Sequence, residues 1–453
     1  MLCLIEGFLQ LCIDSRILRL GDTVLHNQQG KRAAVSYAWV VLFVLFLGQA
    51  APFGMRASFG AYISPWERDF SASRGLVTSI SMLSFVVFAF AQPLVGKLND
   101  HFGKSFVPST GIYLVGISLL LTSQANHMWQ IFVFFGVVFS LGVAGCCNVI
   151  AAAIISNWFI EKKGFALGLA TSGMAVGQLI MVPVNLFIIE RLDWRATMVV
   201  MGIIIMIIIG PLFIIFLRSK PEEKGLKPYG YTESGDVSQN SDSNKEAINI
   251  NSYLPLLGVL KLRAFWLLTI PYFICGFTDV GLIQTHLIPM AEGKGFPVSG
   301  VAIAFSLIAI ANIAGAIITG HLSDHFNRKR QLAIIYLIRI VTFVFLAAIR
   351  HPWLLLPFGV VYGAVEMASI APTNSLTVQL FDKYSIGAVL GLVSVSHQVG
   401  GAIGSWAPGF LFDLTGSYSA VLAFSIALLL GASFLVLRIP EPDNNKMKQK
   451  NVF

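Results

Sequence analysis

The sequence predicts an all-α integral membrane protein, with twelve transmembrane helices arranged as two pseudo-symmetric six-helix bundles. Three observations predict it. Of 453 residues, 56% are hydrophobic and only 12% are charged, where soluble globular chains carry about 25% charge. Too little polar side chain exists to cover a water-facing surface, which excludes a cytosolic enzyme. Second, apolar runs long enough to cross a bilayer, about 20 residues each, recur between polar breaks. Third, the two halves of the chain repeat each other, the kind of internal period that fixes architecture before any motif does.

Taken in order, the first half carries runs at roughly 36–62, 74–95, 105–124, 129–153, 164–189 and 196–217. The second half carries runs at roughly 265–290, 298–319, 331–349, 352–376, 386–412 and 418–438. The chain therefore divides into a tail (1–33), an amino-terminal bundle (34–217), a linker (218–262), a carboxyl-terminal bundle (263–440) and a second tail (441–453). The linker is rich in Ser, Asn, Gly and charge and cannot bury enough apolar surface to order itself, so it is expected to be flexible. In the first tail, Glu6, Asp14, Arg16 and Arg19 interrupt the apolar spacing. An uninterrupted apolar signal core is thus missing, and no function is assigned there.

The duplication is explicit. Gly96, Leu98, Asp100, His101 and Phe102 return as Gly320, Leu322, Asp324, His325 and Phe326. His127 and Trp129 return as His351 and Trp353, and Gly164, Gly168 and Gly177 return as Gly387, Gly391 and Gly400. The second to fifth spans thus correspond to the eighth to eleventh.

Charge sets orientation. There are 31 Lys+Arg and 23 Asp+Glu, and positive residues beside spans record insertion topology rather than nucleic-acid binding. With the amino terminus inside, the inner short loops hold 8 positive residues against 6 in the outer loops, and the inner tails and linker add more. Both termini are expected in the cytoplasm, with the protein in the cell membrane. Nucleic acid is not an expected partner. The 5 cysteines, Cys3, Cys12, Cys146, Cys147 and Cys275, are odd in number and without metal-ligand spacing, so neither a disulfide framework nor a metal site is expected.

Ionisable residues inside spans are informative, because a charge at bilayer depth costs about 2.5–3.5 kcal/mol on insertion scales and generally faces a cavity. Six qualify: Arg56, Asp279, His286, Arg339, Glu366 and His397. The guanidinium of Arg56 in the first span suits a carboxylate; pairing with Asp279 is the structural alternative. Asp279 and His286 are seven residues apart, on one face of a regular helix, and either is a candidate proton carrier. Tyr362, Glu366, Ser369 and Thr373 form a polar stripe expected to line water, as do Ser394, His397, Gln398 and Gly401. Arg339 is ranked lowest as a site residue. Small-xxx-small glycines, Gly164/Gly168 and Gly173/Gly177 with Gly387/Gly391 and Gly400/Gly404, allow helices to approach closely. They are expected to form sliding faces between the halves, with static packing inside one bundle as the alternative.

The loop Gly96-Lys-Leu-Asn-Asp100-His-Phe-Gly103-Lys104, occurring twice, resembles the signature loop of the major facilitator superfamily. That resemblance implies the major facilitator fold and a cytoplasmic latch between the halves. Its residues here would be Gly96, Asp100, Gly103 and Lys104, with Gly320, Asp324 and Arg328 in the repeat. Asn327 replaces the family's glycine, which implies a looser second latch, and His101 and His325 replace a basic residue. Helix 9 is commonly peripheral in this fold, the ground on which Arg339 is ranked low. Within the superfamily, Arg56-Ala-Ser-Phe-Gly60, Asn157-Trp158-Phe159, Gly164-Phe-Ala-Leu-Gly168, Cys275-Gly-Phe277, Thr285-His286-Leu287 and Ser396-His397-Gln398 are similar to the monocarboxylate-porter branch and its bacterial relatives. The branch implies small carboxylates as substrate, often with a proton, and a basic residue in the first helix that helps hold the anion. The acid/base pair that animal members carry in helix 8 is missing between Val301 and Thr319.

The resulting expectation is a monomeric secondary transporter of a small organic anion that works by alternating access, without a cofactor. Arg56, Tyr362, Glu366, His397 and Gln398 would line the substrate site; Asp279, His286 or Glu366 would handle a proton. Two alternatives stand beside it: export of amphipathic cations drawn by Asp279 and Glu366, and a non-transporting sensor that signals through the linker. No enzyme signature is found.

Overall fold

A computed structural model describes residues 25–102, 105–231 and 256–440, and the side chains within them except at 25–36, 100–102, 256–257 and 324–325. Among the described residues, twelve helices are long and apolar enough to cross a membrane. They are α1 (Leu25–Ala57, continued after a break as Gly60–Asp69), α2 (Arg74–Phe102), α3 (Phe106–Ser123), α4 (Met128–Trp158), α5 (Lys163–Arg191), α6 (Trp194–Phe216), α7 (Arg263–Gly293), α8 (Val298–His325), α9 (Arg328–Ala348), α10 (Pro352–Leu380), α11 (Ile386–Thr415) and α12 (Ser419–Leu437). Each of the twelve expected spans is found within a few residues of its place.

Among the described residues two large apolar cores form, beside a small cluster of Ile335, Val365 and Ala368. One draws on α1 to α6, with Val41, Phe135, Ile154 and Met201. The other draws on α7 to α12, with Phe305, Phe358 and Leu429, and takes in Ala57, Ala61, Val182 and Leu186 from α1 and α5. The halves meet where α2 lies against α11 and α5 against α8.

Glycine sets the tightest contacts, and most of these are inside a half. A side chain at Gly173 or Gly177 of α5 would strike the carbonyls of Phe46 or Ala50 in α1. At Gly400 or Gly404 of α11 it would strike those of Phe273 or Phe277 in α7. The inner members of each expected sliding face are therefore packing within a bundle. Without a side chain the backbones approach until the cylinders touch, which fixes α1 on α5 and α7 on α11.

The side of the molecule bearing the linker differs from the far side. Gly96, Gly164 and Gly168, Gly320, and Gly387 and Gly391 sit toward the linker side on α2, α5, α8 and α11. None has an atom within 4 Å of where a side chain would start. On the far side the halves are joined. Asp413 of α11 accepts the backbone N–H groups of Arg74 at 2.9 Å and Gly75 at 2.7 Å, so a carboxylate of one half caps the first turn of α2 in the other. Arg74 also holds Glu67 through Nε at 2.6 Å and Nη2 at 2.9 Å, donates to Tyr418 Oη at 3.3 Å and lies over the Phe412 ring. Ser64 donates to Glu292 at 2.6 Å.

The latch residues Gly103 and Lys104, and the side chains of Asp100 and Asp324, lie outside the described residues. Arg328 donates to the Ser323 carbonyl at 3.0 Å, and Asn327 caps α9 through Arg330 N–H at 3.3 Å. That cap gives the departure from glycine a local role. The expected flexible linker begins docked: Trp158 Nε1 donates to Arg218 O at 2.7 Å, Asn157 Nδ2 to Ser219 O at 2.9 Å, and Tyr229 N–H to Trp158 O at 2.7 Å. Residues 232–255 lie outside the described residues.

Candidate functional site

Arg56 sits in the last turn before the break in α1. At Ser58 and Phe59 the helix loosens, and the Ser58 hydroxyl turns back to Gly54 O at 2.9 Å. Asn185 of α5 clamps the break: its amide donates to Ser58 Oγ at 3.2 Å and to its own helix at Met181 O, 2.6 Å, while its oxygen accepts from Tyr62 Oη. Just beyond, Gly60 admits the Thr285 carbonyl of α7 so closely that a Cβ would stand 2.7 Å from it. The guanidinium is thus held where α1, α2 and α7 converge between the halves.

There it lies over the rings of Phe85 at 4.1 Å and Phe88 at 4.5 Å. Its Nε and Nη2 are buried and make no hydrogen bond. Such a group costs about 1–3 kcal/mol or more when left unsatisfied, and the ring faces supply only part of the compensation. The cavity it faces is small, ≈ 10 Å³, room for about one water. Phe59, Ser81, Ser84, Phe135, Gln284 and Thr285 are among its lining residues.

A second polar group is enclosed in the other half. Pro372 in α10 has no N–H for the carbonyl one turn back, and the helix breaks between Glu366 and Ile370. Ile370 N–H turns to Met367 O instead, which releases the Glu366 carbonyl. Arg339 of α9 takes it up: its guanidinium donates to the carbonyls of Val365, at 2.9 Å from Nη2, and Glu366, and to Cys275 Sγ at 3.0 Å. Asp279 Oδ2 is 3.7 Å from Arg339 Nη2, and its Oδ1 accepts from Tyr362 Oη at 2.8 Å. The Glu366 carboxylate accepts from Gln284 Nε2 at 3.0 Å and Asn312 Nδ2 at 2.8 Å. Arg339, Asp279, Glu366 and Tyr362 are all essentially buried.

Several expectations change here. Asp279 pairs with Arg339, not with Arg56. Asp279 and His286 do not share a face, because α7 has wide, π-type turns over Phe277–Ile283 that rotate the rest of the helix. His286 instead bonds Ser405 O at 2.7 Å through Nε2 and Tyr418 Oη at 3.0 Å through Nδ1. Ser405 O only accepts, so Nε2 carries the hydrogen and Nδ1 accepts from the phenol. Burial holds the Tyr418 phenol above its ordinary range, which keeps that proton in place. The stripe of α10 is buried against α7 and α9: Tyr362, Glu366, Ser369 and Thr373 are each 0 to 1% exposed. His397 packs tilted against Tyr272, ring centroids 4.7 Å apart, and Gln398 is partly exposed. Asn312 and Gln284 were not among the expected site residues, and Arg339 was ranked lowest of the candidates.

Cys275, Asp279 and His397 bring ligand atoms within 4.8 Å of one another. Arg339 touches the thiol and sits beside the carboxylate, so a fixed positive charge occupies the position a cation would need.

The Major Facilitator Superfamily model matches residues 39–405. The chain is 25% identical over 433 residues to the uncharacterized MFS-type transporter YcxA of Bacillus subtilis, covering 92% of this chain and 98% of that one. It is 23% identical over 408 residues to monocarboxylate transporter 13 of Rattus norvegicus (89% of each chain). To monocarboxylate transporter 12 of the same animal it is 25% identical over 422 residues (88% and 85%). Among solved structures, a bacterial homolog to the human lysosomal transporter Spinster, inward-facing and occupied, superposes with a TM-score of 0.71 at 15% identity, over 90% of this chain and 98% of that one.

Proposed function

Because the chain belongs to the major facilitator superfamily, we propose that it moves a small monocarboxylate-like anion across the cell membrane by alternating access, with Arg56 as the anion ligand. One observation carries this: a buried guanidinium between the halves whose Nε and Nη2 are unpaired. Those two donors form the edge of the fork that takes a carboxylate in two parallel hydrogen bonds. The similarity to monocarboxylate transporters supports the same substrate class.

In this assignment the linker side is cytoplasmic, which agrees with the bias of positive charge toward the tails and linker. The far side, closed by Asp413, Arg74 and Glu292, is the outer gate. Rocking of the halves would enlarge the one-water cavity to admit substrate and then expose it to each side in turn. Asp279 and Glu366 are the proton-carrying pair. They are neighbours, and the buried Arg339 balances one carboxylate, so a proton on the other keeps the enclosed cluster neutral. His286 takes no part, since both its nitrogens are engaged. Cation export is disfavoured by the same facts: the acids that would attract a cation are buried and already partnered.

The test is flux. Purified protein in proteoliposomes should take up a small monocarboxylate saturably, and Arg56→Ala should remove at least about 90% of that flux, the loss of a charge-assisted pair worth over about 1.4 kcal/mol. Thermal melting should show Arg56→Ala still folded. Undiminished flux in that variant would remove Arg56 from the site.

A further inference from the structure

The Arg56 cavity and the buried carboxylate pair share one side chain. Gln284 lines the cavity, and its Nε2 donates to Glu366 Oε1 at 3.0 Å. It stands at the first residue after the π-type turns of α7, between the cluster that holds Asp279 and the face that meets the other half. No other side chain named among the cavity's lining residues is bonded to the cluster.

We propose that Gln284 couples the two sites: ionised Glu366 holds its amide N–H away from the substrate, and protonated Glu366 releases that N–H to the anion beside Arg56. This rests on the anion assignment above and adds the residue that links proton to anion.

The chemistry is that of donors and acceptors. An ionised carboxylate only accepts, and a bond to it is about twice as strong as one between neutral partners. Each oxygen accepts one amide N–H, Oε2 from Asn312 and Oε1 from Gln284, and the proton of this proposal is the one taken up on Oε1, the oxygen that Gln284 faces. A proton there turns Oε1 from acceptor into donor. With that O–H directed at Gln284 and the charge-assisted bond lost, the amide meets it with its own carbonyl, a half-turn about its last side-chain bond. That half-turn swings Nε2 away from Glu366, toward the cavity. No covalent bond other than the O–H is made or broken. The proton comes from water on the side where the cleft is open and leaves to water on the other side with the anion.

The charged and titratable groups around Glu366 are few. Asp279 faces it from α7 and Arg339 from α9, and Tyr362 lies one turn back on its own helix. Cys275, Tyr272 and Tyr336 lie behind Arg339, and His397 of α11 faces Asp279. The partner from α8 is the neutral Asn312. Glu366 is the member bonded to a cavity-lining side chain. The sign is then fixed: acidification frees Nε2, anion affinity rises, and the two species travel together.

Affinity for lactate, and in parallel for benzoate, is measured on the purified full-length protein on the acid and alkaline sides of neutrality. Wild type should bind about tenfold tighter on the acid side, one charge-assisted hydrogen bond gained. Gln284→Met, similar in bulk but without a donor, should bind weakly with no dependence on pH. Glu366→Gln, neutral at any pH, should bind as tightly on the alkaline side as wild type does on the acid side. A wild-type pH slope in Gln284→Met overturns the coupling role even if binding still requires Arg56, and so does a Glu366→Gln that binds like alkaline wild type. Failure of both probes to bind wild type, or equal binding by Arg56→Ala, overturns the anion assignment itself.

Discussion

Arg56 and Arg339 are two buried guanidiniums in opposite circumstances. Arg56 has buried donors without partners; Arg339 spends its donors on two carbonyls, a thiol and a neighbouring carboxylate. The first keeps two donors open, and the second holds what is already there. Arg339→Met should therefore destabilise by about 3–5 kcal/mol, since it leaves the Asp279 carboxylate buried without its counter-charge. The check is the melting temperature in detergent, and adding Asp279→Asn should recover part of the loss. Arg56→Met should melt near wild type, because no ion pair is broken. The special status of Arg56 was legible in the sequence, as a lone cation in an apolar first span. That of Arg339 was not. Its role depends on carbonyls freed by the break in α10, a different helix, and neither periodicity nor composition records which carbonyls a break releases. Gln284 escaped for a related reason, since an uncharged amide gains significance only from the two groups on either side of it.

At the scale of the helix, breaks recur at matching places in the two halves. α4 loosens at Cys146 and Cys147, and α10 between Glu366 and Ile370. In both, a side chain from a neighbouring helix satisfies a freed carbonyl, Gln49 to Cys146 O at 2.6 Å and Arg339 to Glu366 O. The duplicated spans were readable from apolar length and repeated motifs, but these breaks were not, because a run of apolar residues looks alike whether its turns are regular or wide. The same limit explains Asp279 and His286: seven residues place side chains together only if every turn is regular. The glycine faces were recognised as close contacts, yet spacing alone does not say which helix supplies the contact. Gly177→Ala should cost about 1–3 kcal/mol by overpacking against the Ala50 backbone, seen as a lower melting temperature. Gly168→Ala, in open space, should be neutral or gain up to about 1 kcal/mol from helix propensity.

For the whole molecule, the two sides differ in how the halves are joined. The far side is held by a few polar contacts across the halves, and the Asp413 cap of α2 is the most direct. Asp413→Ala should remove about 1 kcal/mol of capping and shift the balance about fivefold toward the form open on the far side. A membrane-impermeant thiol reagent applied from that side should then label Ser84→Cys faster than it does in the variant that keeps Asp413. Slower or unchanged labelling would mean that the cap does not govern opening. The docking of Arg218, Ser219 and Tyr229 onto the end of α4 bears on how the chain bridges its halves. These residues are held to α4, so the remaining covalent link between the halves is the stretch between Tyr231 and Leu256. Severing the backbone within that stretch and expressing the two pieces together should still yield an associated, melting-competent pair, whereas a cut placed before Arg218 would strip the first piece of the strap on Trp158.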